Sequence, residues 1–334
     1  TLLMNFLQLF ILFLFISSCD DKKSSDNCGI NTQYTSVYSE EVSSAGYDII
    51  PFDDCSYIIS GKKSGDAWLM NIDEEGNELW SHVYDDLSGL SIGNAVNRTS
   101  DGGLIIGGGE NIIKTDPYGI KEWSYKLPYS NRHYVEDIIQ ISNGDYIVVG
   151  GVGGDPGTGG HNQKGQAYIL HLSKERDIQW VKRYGINNSP MDSFWGVEES
   201  SDGGFLVVGN KLQNRNFEFY DHFWIVKVDN NGNIEWSHEL GGNYWDEAQD
   251  IIRLSDNSYI VYGKKSLSQS NLNMWMMRIS SSISLAAKVA EKRVKCPTSS
   301  HGTVEIIISL MRYWENSSPV LKRFPPFIPL GAST

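Results

Sequence analysis

Paired cysteines of the metal-binding kind are missing from this chain. Its four cysteines stand alone at positions 19, 28, 55 and 296. There is no C-x-x-C and no Cys/His ligand spacing, so no metal site is expected. A basic excess is missing too, with 28 Lys and Arg against 41 Asp and Glu and a net charge of −13. Nucleic-acid binding leaves a basic stripe as its footprint, so that partner class is excluded. An acidic surface instead aids solubility or attracts cations and basic partners. Before residue 281, no stretch carries a capped apolar period of 3.6 residues, which argues against helices. Neither G-x-G-x-x-G opening a helix nor G-x-x-x-x-G-K-[ST] is found, so nucleotide binding has no support and no cofactor is expected. The scattered histidines His133, His161, His171 and His222 have no Ser or Cys nucleophile motif beside them.

What the chain has in quantity is repetition. "WLMNIDEEGNELWSH" ends at His82 and returns as "FWIVKVDNNGNIEWSH" ending at His238, with weaker copies "NIIKTDPYGIKEWSY" and "AYILHLSKERDIQWVK". Asp73, Asp116, Ser173 and Asp229 each stand seven residues before Trp80, Trp123, Trp180 and Trp236. Gly76, Gly119 and Gly232 stand four before their Trp, and Arg176 takes that place in the third copy. Alternating apolar residues that enter and leave D-x-x-G predict strand, tight turn, strand. An EF-hand would need ligands spread over twelve residues, whereas here strand residues follow at once. These Asp and Trp residues are therefore read as structural, and His82 and His238 with them.

A second element recurs as "DDCSYIISG", "SDGGLIIGG", "SNGDYIVVG", "SDGGFLVVG" and "SDNSYIVYG". It places Gly61, Gly107, Gly150, Gly209 and Gly263 in register, at intervals of 46, 43, 59 and 54 residues. Each unit then holds four short strands. The expected fold is all-β: a β-propeller of about five four-stranded blades, or part of a larger one. One blade cannot bury both its faces, so neighbours pack on each other, with the repeated Trp expected between them. The fifth unit stops matching at Ser280, before its fourth strand. An orphan fourth strand precedes the first unit, with Tyr34 where Trp80 stands, an arrangement that would close a five-blade ring. Residues 281–334 carry seven Lys and Arg against three Asp and Glu and no repeat. They are read as a divergent or frame-shifted tail, and in the latter case such closure is fortuitous.

The N-terminus reads as an address. From Phe6 to Ile16 the chain is apolar apart from Gln8, too short to span a bilayer. The following "ISSC" resembles the lipobox of bacterial lipoproteins, which implies a signal peptide over 1–19, a lipid on Cys19 and a monomer tethered to a membrane. Residues 20–33 are a charged tether, and their "DDKK" start looks like the surface-export signal of some Gram-negative lipoproteins. The implied location is the outer membrane or cell surface. Cys28 and Cys55 are candidates for a disulfide, which spacing alone leaves open. The repeats of the propeller region, 34–280, resemble those of uncharacterised bacterial propeller lipoproteins with D-G-G-x-[IV]-x-x-G and W-x-x-K-x-D-x-x-G-x-x-x-W. Trp-bearing quinone-dependent dehydrogenases fit poorly, since they use eight blades and longer chains.

Candidate ligand contacts lie outside the regular pattern. Phe194, Trp195, Tyr244 and Trp245 precede the inner strands. On a rim they would stack on a sugar ring or grip a protein; between blades they would be packing. "GGVGGDPGT", with Asp155 and the nearby His161, reads as an inserted loop and a contact surface. Glu198, Glu199, Asp246 and Glu247 lie beside inner-strand segments. If some face a channel, they would supply the acid and base of a polysaccharide hydrolase or lyase. The leading expectation is a non-enzymatic binding module for a glycan or protein partner.

Overall fold

The structure is a computed structural model. It describes residue 38 and residues 43–280, apart from 54, 88–91, 129–132, 153–164, 186–191, 216–217, 243 and 269–270. Strands 289–295 and 305–311 are also described. Every regular element among these residues is a β-strand. Blade 1 comprises β1 (Ser44–Pro51), β2 (Tyr57–Lys63), β3 (Asp66–Ile72) and β4 (Glu78–Tyr84). Blade 2 comprises β5 (Ala95–Arg98), β6 (Leu104–Gly108), β7 (Asn111–Thr115) and β8 (Lys121–Lys126). Blade 3 has β9 (His133–Gln140), β10 (Tyr146–Val152), β11 (Gln166–Leu172) and β12 (Ile178–Tyr184). Blade 4 has β13 (Ser193–Glu199), β14 (Phe205–Arg215), β15 (Glu218–Val228) and β16 (Ile234–Leu240). Blade 5 has β17 (Glu247–Arg253), β18 (Tyr259–Ser268) and β19 (Asn271–Ile279). Within each blade, consecutive strands pair antiparallel. A single bridge, Gly151 with Ser193, joins the sheets of blades 3 and 4.

The blades pack through their first strands, β1 on β5, β5 on β9, β9 on β13 and β13 on β17. Four-stranded antiparallel units joined in this way are the construction of a β-propeller. Four core clusters lie between successive blades. That of blades 3 and 4, for example, joins Ile147, Val149 and Ile169 to Phe194, Val207 and Trp224. Buried on both faces, the middle strands read as continuous apolar runs such as "YIVVG". Each fully buried Ile or Val contributes about 1.5–3 kcal/mol.

The repeated Trp and Gly answer one another across these interfaces. A Cβ on Gly119 would lie 2.5 Å from the Trp80 ring, and one on Gly232 would lie 2.9 Å from that of Trp180. Both glycines also adopt positive φ, 76° and 73°, so glycine is required twice over. Where blade 3 carries Arg176 instead, at φ 74°, its guanidinium stands 5.4 Å from the Trp123 ring centre. A tyrosine four residues after Trp completes the contact. Tyr84 donates to the Gly119 carbonyl at 2.8 Å and Tyr184 to that of Gly232 at 2.7 Å.

Two expectations are corrected. The close-packed glycine of blade 2 is Gly108, where a Cβ would sit 1.8 Å from the Ile92 carbonyl oxygen, as at Gly150 against Tyr134. Gly107 lies one place earlier, beneath Val135 and Ile138; the run of three glycines hides the register. The free edge of β19 is also not empty. From the tail, β21 (Glu305–Met311) pairs with it in parallel, and β20 (Val289–Lys295) adds beyond. Cys55 is disulfide-bonded. The signal segment, Cys19, the tether, Cys28 and Tyr34 lie outside the described residues.

Candidate functional site

Because strands alternate in direction, each blade's first-to-second and third-to-fourth connections emerge at one rim. Its second-to-third connections and the links between blades emerge at the other. The first rim is regular. In the D-x-x-G turns, Asp73 accepts the N–H groups of Glu75 and Asn77 at 3.0 and 2.7 Å, and the Asn77 amide at 2.9 Å. Asp229 does the same with Asn231 and Asn233, and Asp116 accepts Tyr118 and Ile120 N–H. In the third copy the Ser173 hydroxyl accepts the Asp177 N–H at 3.1 Å. The Asn77 and Asn233 bonds hold the Asp73 and Asp229 carboxyls below their usual range. In the S-D-G-G turns, burial works against Asp101 and Asp202. Hydroxyl, N–H and Lys114 or Lys227 contacts overcome it, and each sits at about 2. Among the described residues no group of three or more His, Cys, Asp or Glu side chains is arranged to hold a metal.

The second rim is irregular, and it carries the aromatic candidates. Trp195 is the bulged residue between Phe194 and Gly196 where β13 pairs with β14. Its indole N–H donates to the Asn210 Oδ1 at 2.7 Å, and Asn210 Nδ2 donates to Asp221 at 3.1 Å. Asp221 is buried, 5% exposed. Burial first, then the neighbouring Glu247 charge, push its carboxyl to about 7. Glu247 itself bridges to Lys264 at 2.9 Å. The connector into blade 5 is braced by Asp246, which accepts the N–H groups of Gly242 and Ser266 at 2.8 and 2.9 Å. Ser266 donates to the Trp245 carbonyl at 2.6 Å. The backbone is thus held while the Trp245 side chain stays 40% exposed; Tyr244 is half-buried. Phe194 is core, 0% exposed against Trp224. Asp155 and His161 lie outside the described residues.

The four carboxylates grouped by sequence divide between the rims. Asp246 and Glu247 sit at the irregular one. Glu198 and Glu199 lie at the opposite end of β13, where Glu198 accepts the Arg253 N–H at 3.0 Å. Glu199 accepts the Ser142 N–H and hydroxyl at 2.9 and 2.7 Å.

A third set, on the inner strands, escaped the sequence reading. Asp48, Asp137 and Asp250 occupy one register position, just after the bulge of β1, β9 and β17. Asp48 accepts the N–H of Ile49 with one oxygen and that of Val96, on the next blade, with the other, at 2.7 and 2.9 Å. Asp137 repeats this with Ile138 and Val197 at 2.7 and 2.9 Å. Burial raises all three carboxyls. Asp137, further raised by Asp48, reaches about 7, and Asp250 is raised in addition by Asp137 and Asp48. The three inner-strand carboxyls thus act on one another. Beside them the Glu136 carboxyl, raised by burial to about 8, accepts Asn94 Nδ2 at 2.9 Å. The sequence signal was available: "YDII", "EDII" and "QDII".

No protein-family model matches this chain, and no curated protein matches it in sequence. Among solved structures, a protein of unknown function from Bacteroides caccae resembles it with TM-score 0.44 and 13% identity, over 73% of this chain and 79% of that one. The WD40 domain of Neurospora crassa Pan2 gives TM-score 0.45 and 11% identity, over 70% and 63%. The extracellular domain of a hybrid two-component system from B. thetaiotaomicron gives 0.33 and 11%, over 80% of this chain but only 44% of that one. Likeness at this level says nothing about ligand or activity.

Proposed function

We propose that the chain is a β-propeller array of five blades that serves as an extracytoplasmic binding module. Its irregular rim is the face that meets a glycan. One observation carries this reading. The exposed Trp245 indole and the Trp195–Asn210–Asp221 chain stand at the rim where the long connections emerge. An aromatic face takes the C–H face of a sugar ring, and the buried Asn210–Asp221 pair beneath holds the Trp195 ring in place. A protein partner is the other occupant such a rim accepts, through the same aromatic anchors. The lipobox-like "ISSC" supports anchoring by a lipid on Cys19, at the outer membrane or cell surface, as a monomer. The test is a glycan array followed by calorimetry. Trp245→Ala is expected to weaken the selected glycan at least about tenfold, the cost of losing an aromatic anchor. Undiminished binding by that variant sinks the reading. Loss of labelled palmitate in Cys19→Ser tests the anchor.

A second reading, polysaccharide hydrolysis or lysis, rests on Glu136, half-buried with its carboxyl at about 8 beside Asp137 at about 7. With its carboxyl at about 8, Glu136 carries a proton near neutrality and can act as an acid, whereas both Asp137 oxygens are held by the Ile138 and Val197 N–H groups. Release of reducing ends from a bound glycan, abolished in Glu136→Gln, would establish it. Binding without turnover refutes it.

A further inference from the structure

Near the start of each inner strand, one position of the repeat follows a rule of its own. On every second strand a glycine lies against a carbonyl of the first strand. A Cβ there would stand 1.8–2.0 Å from the carbonyl oxygen of Ala45, Ile92, Tyr134, Ser193 or Glu247. Two places on from these carbonyls come Tyr47, Asn94, Glu136, Trp195 and Gln249. In blades 1, 3, 4 and 5 this residue is the bulge of the ladder, and a bulge re-aims the side chain it carries.

The places on either side are restricted by packing. Gly46, Gly93, Val135, Phe194 and Ala248 before it are glycine or apolar, and the place after it is Asp, Ala or Gly in every blade. Of these three places the middle one alone carries five different side chains, each with a ring or a polar head. A position that the fold fixes in space and leaves open in chemistry is where a scaffold can carry a site.

The five side chains follow one another in a row. First strands of successive blades pack side by side. Asn94 of blade 2 donates its amide to the Glu136 carboxyl of blade 3 at 2.9 Å and to the Val135 carbonyl at 3.0 Å. The row is open to water. Tyr47 is 41% exposed, Gln249 is exposed, and Asn94, Glu136 and Trp195 are half-buried. Among the described residues the Tyr47 hydroxyl, the Gln249 amide and the second Glu136 oxygen bond to no protein group. Burial raises the Glu136 carboxyl to about 8 despite the Asn94 bond, so near neutrality it donates as well as accepts.

Charge narrows the occupant. The three-residue stretches centred on the row hold Asp48, Glu136, Asp137 and Asp250, and no Lys or Arg. A carboxylate or sulfate on a ligand would meet carboxyls with no cation to receive it, and such like-charge placement costs affinity. Rings and amides suit the faces and hydroxyls of an uncharged sugar.

We propose that this row is the specificity site of the irregular rim, taking a sugar unit of a neutral glycan and rejecting acidic glycans. Tyr47 and Trp195 lie against ring faces, and Asn94, Glu136 and Gln249 bond hydroxyls. The inference rests on the glycan reading of that rim and names its ligand class.

The test is calorimetry of the full chain with uncharged hexamers of glucose, mannose and N-acetylglucosamine, and with charged hexamers of galacturonic acid and glucosamine. An uncharged probe is expected to bind at least about tenfold more tightly than either charged one. Tyr47→Ala and Gln249→Ala, both at exposed positions, are expected to weaken that probe about tenfold and about threefold with the urea midpoint unchanged. Preference for a charged probe overturns the inference. So does binding that falls in Trp245→Ala but in neither row variant, which leaves the rim reading standing. Binding that falls in the row variants but not in Trp245→Ala supports the row and sinks the rim reading. If no probe binds, both fall.

Discussion

At the rim of the D-x-x-G turns, Asp73, Asp116 and Asp229 are occupied by N–H groups of their own turns. Asp101 and Asp202 are occupied by Lys114 and Lys227. At the opposite rim, Asp221 is buried against Glu247 with its carboxyl near 7, and Trp245 keeps two-fifths of its surface in water. One rim satisfies its turn aspartates within their own blades. The other keeps a proton-binding carboxyl and an open indole. On the proposed reading, regularity and function separate along the axis, as they do where a rigid scaffold carries variable loops.

The largest break in this comparison comes at the regular rim. Gly119→Val places a branched side chain against Trp80 at positive φ, and is expected to cost about 4 kcal/mol in urea unfolding by overpacking plus backbone strain. A change below about 1 kcal/mol would show that the Trp–turn contact does not hold the blades together.

The pH dependence sharpens the contrast, because Asp221 at one rim and Asp101 and Asp202 at the other have opposite signs. Asp221 binds its proton more tightly folded than unfolded. Its contribution is full below pH ~4 and lost as pH rises through about 7. Asp101 and Asp202, held at about 2, contribute above pH ~4 and lose it as pH falls toward 2. Asp221→Asn is therefore expected to flatten the fall in stability between pH 5 and pH 8 by roughly 1–2 kcal/mol. An unchanged slope refutes the assignment.

Asp116→Ala removes two backbone partners and is expected to cost about 1 kcal/mol, read as a lower urea midpoint. Trp245→Ala, at the other rim, is expected to change the midpoint by less than about 0.5 kcal/mol.

Much of this was legible from spacing alone, because turn and strand chemistry is local. The Asp, Gly and Trp of each unit act within one hairpin or on the adjacent turn, so their intervals carry the fold. Trp195 and Trp245 stood out by breaking those intervals. The Asn210–Asp221 pair did not, since it forms across β14 and β15 between residues that read as ordinary strand positions. The inner aspartates were overlooked for a similar reason. Their partners, such as Val96 and Val197, lie a whole blade away, and an Asp before two isoleucines resembles strand alternation. Gly108 was displaced by one because three consecutive glycines offer no side chain to fix the register.

The most direct measurement is made on two variants in parallel, Trp245→Ala and Asp116→Ala, each assayed for urea midpoint and for binding the glycan selected by the wild-type chain. The account predicts that Trp245→Ala loses the glycan and keeps its midpoint, while Asp116→Ala lowers the midpoint and keeps the glycan. The reverse pattern, or both properties falling together in Trp245→Ala, would contradict the separation of a structural rim from a binding rim.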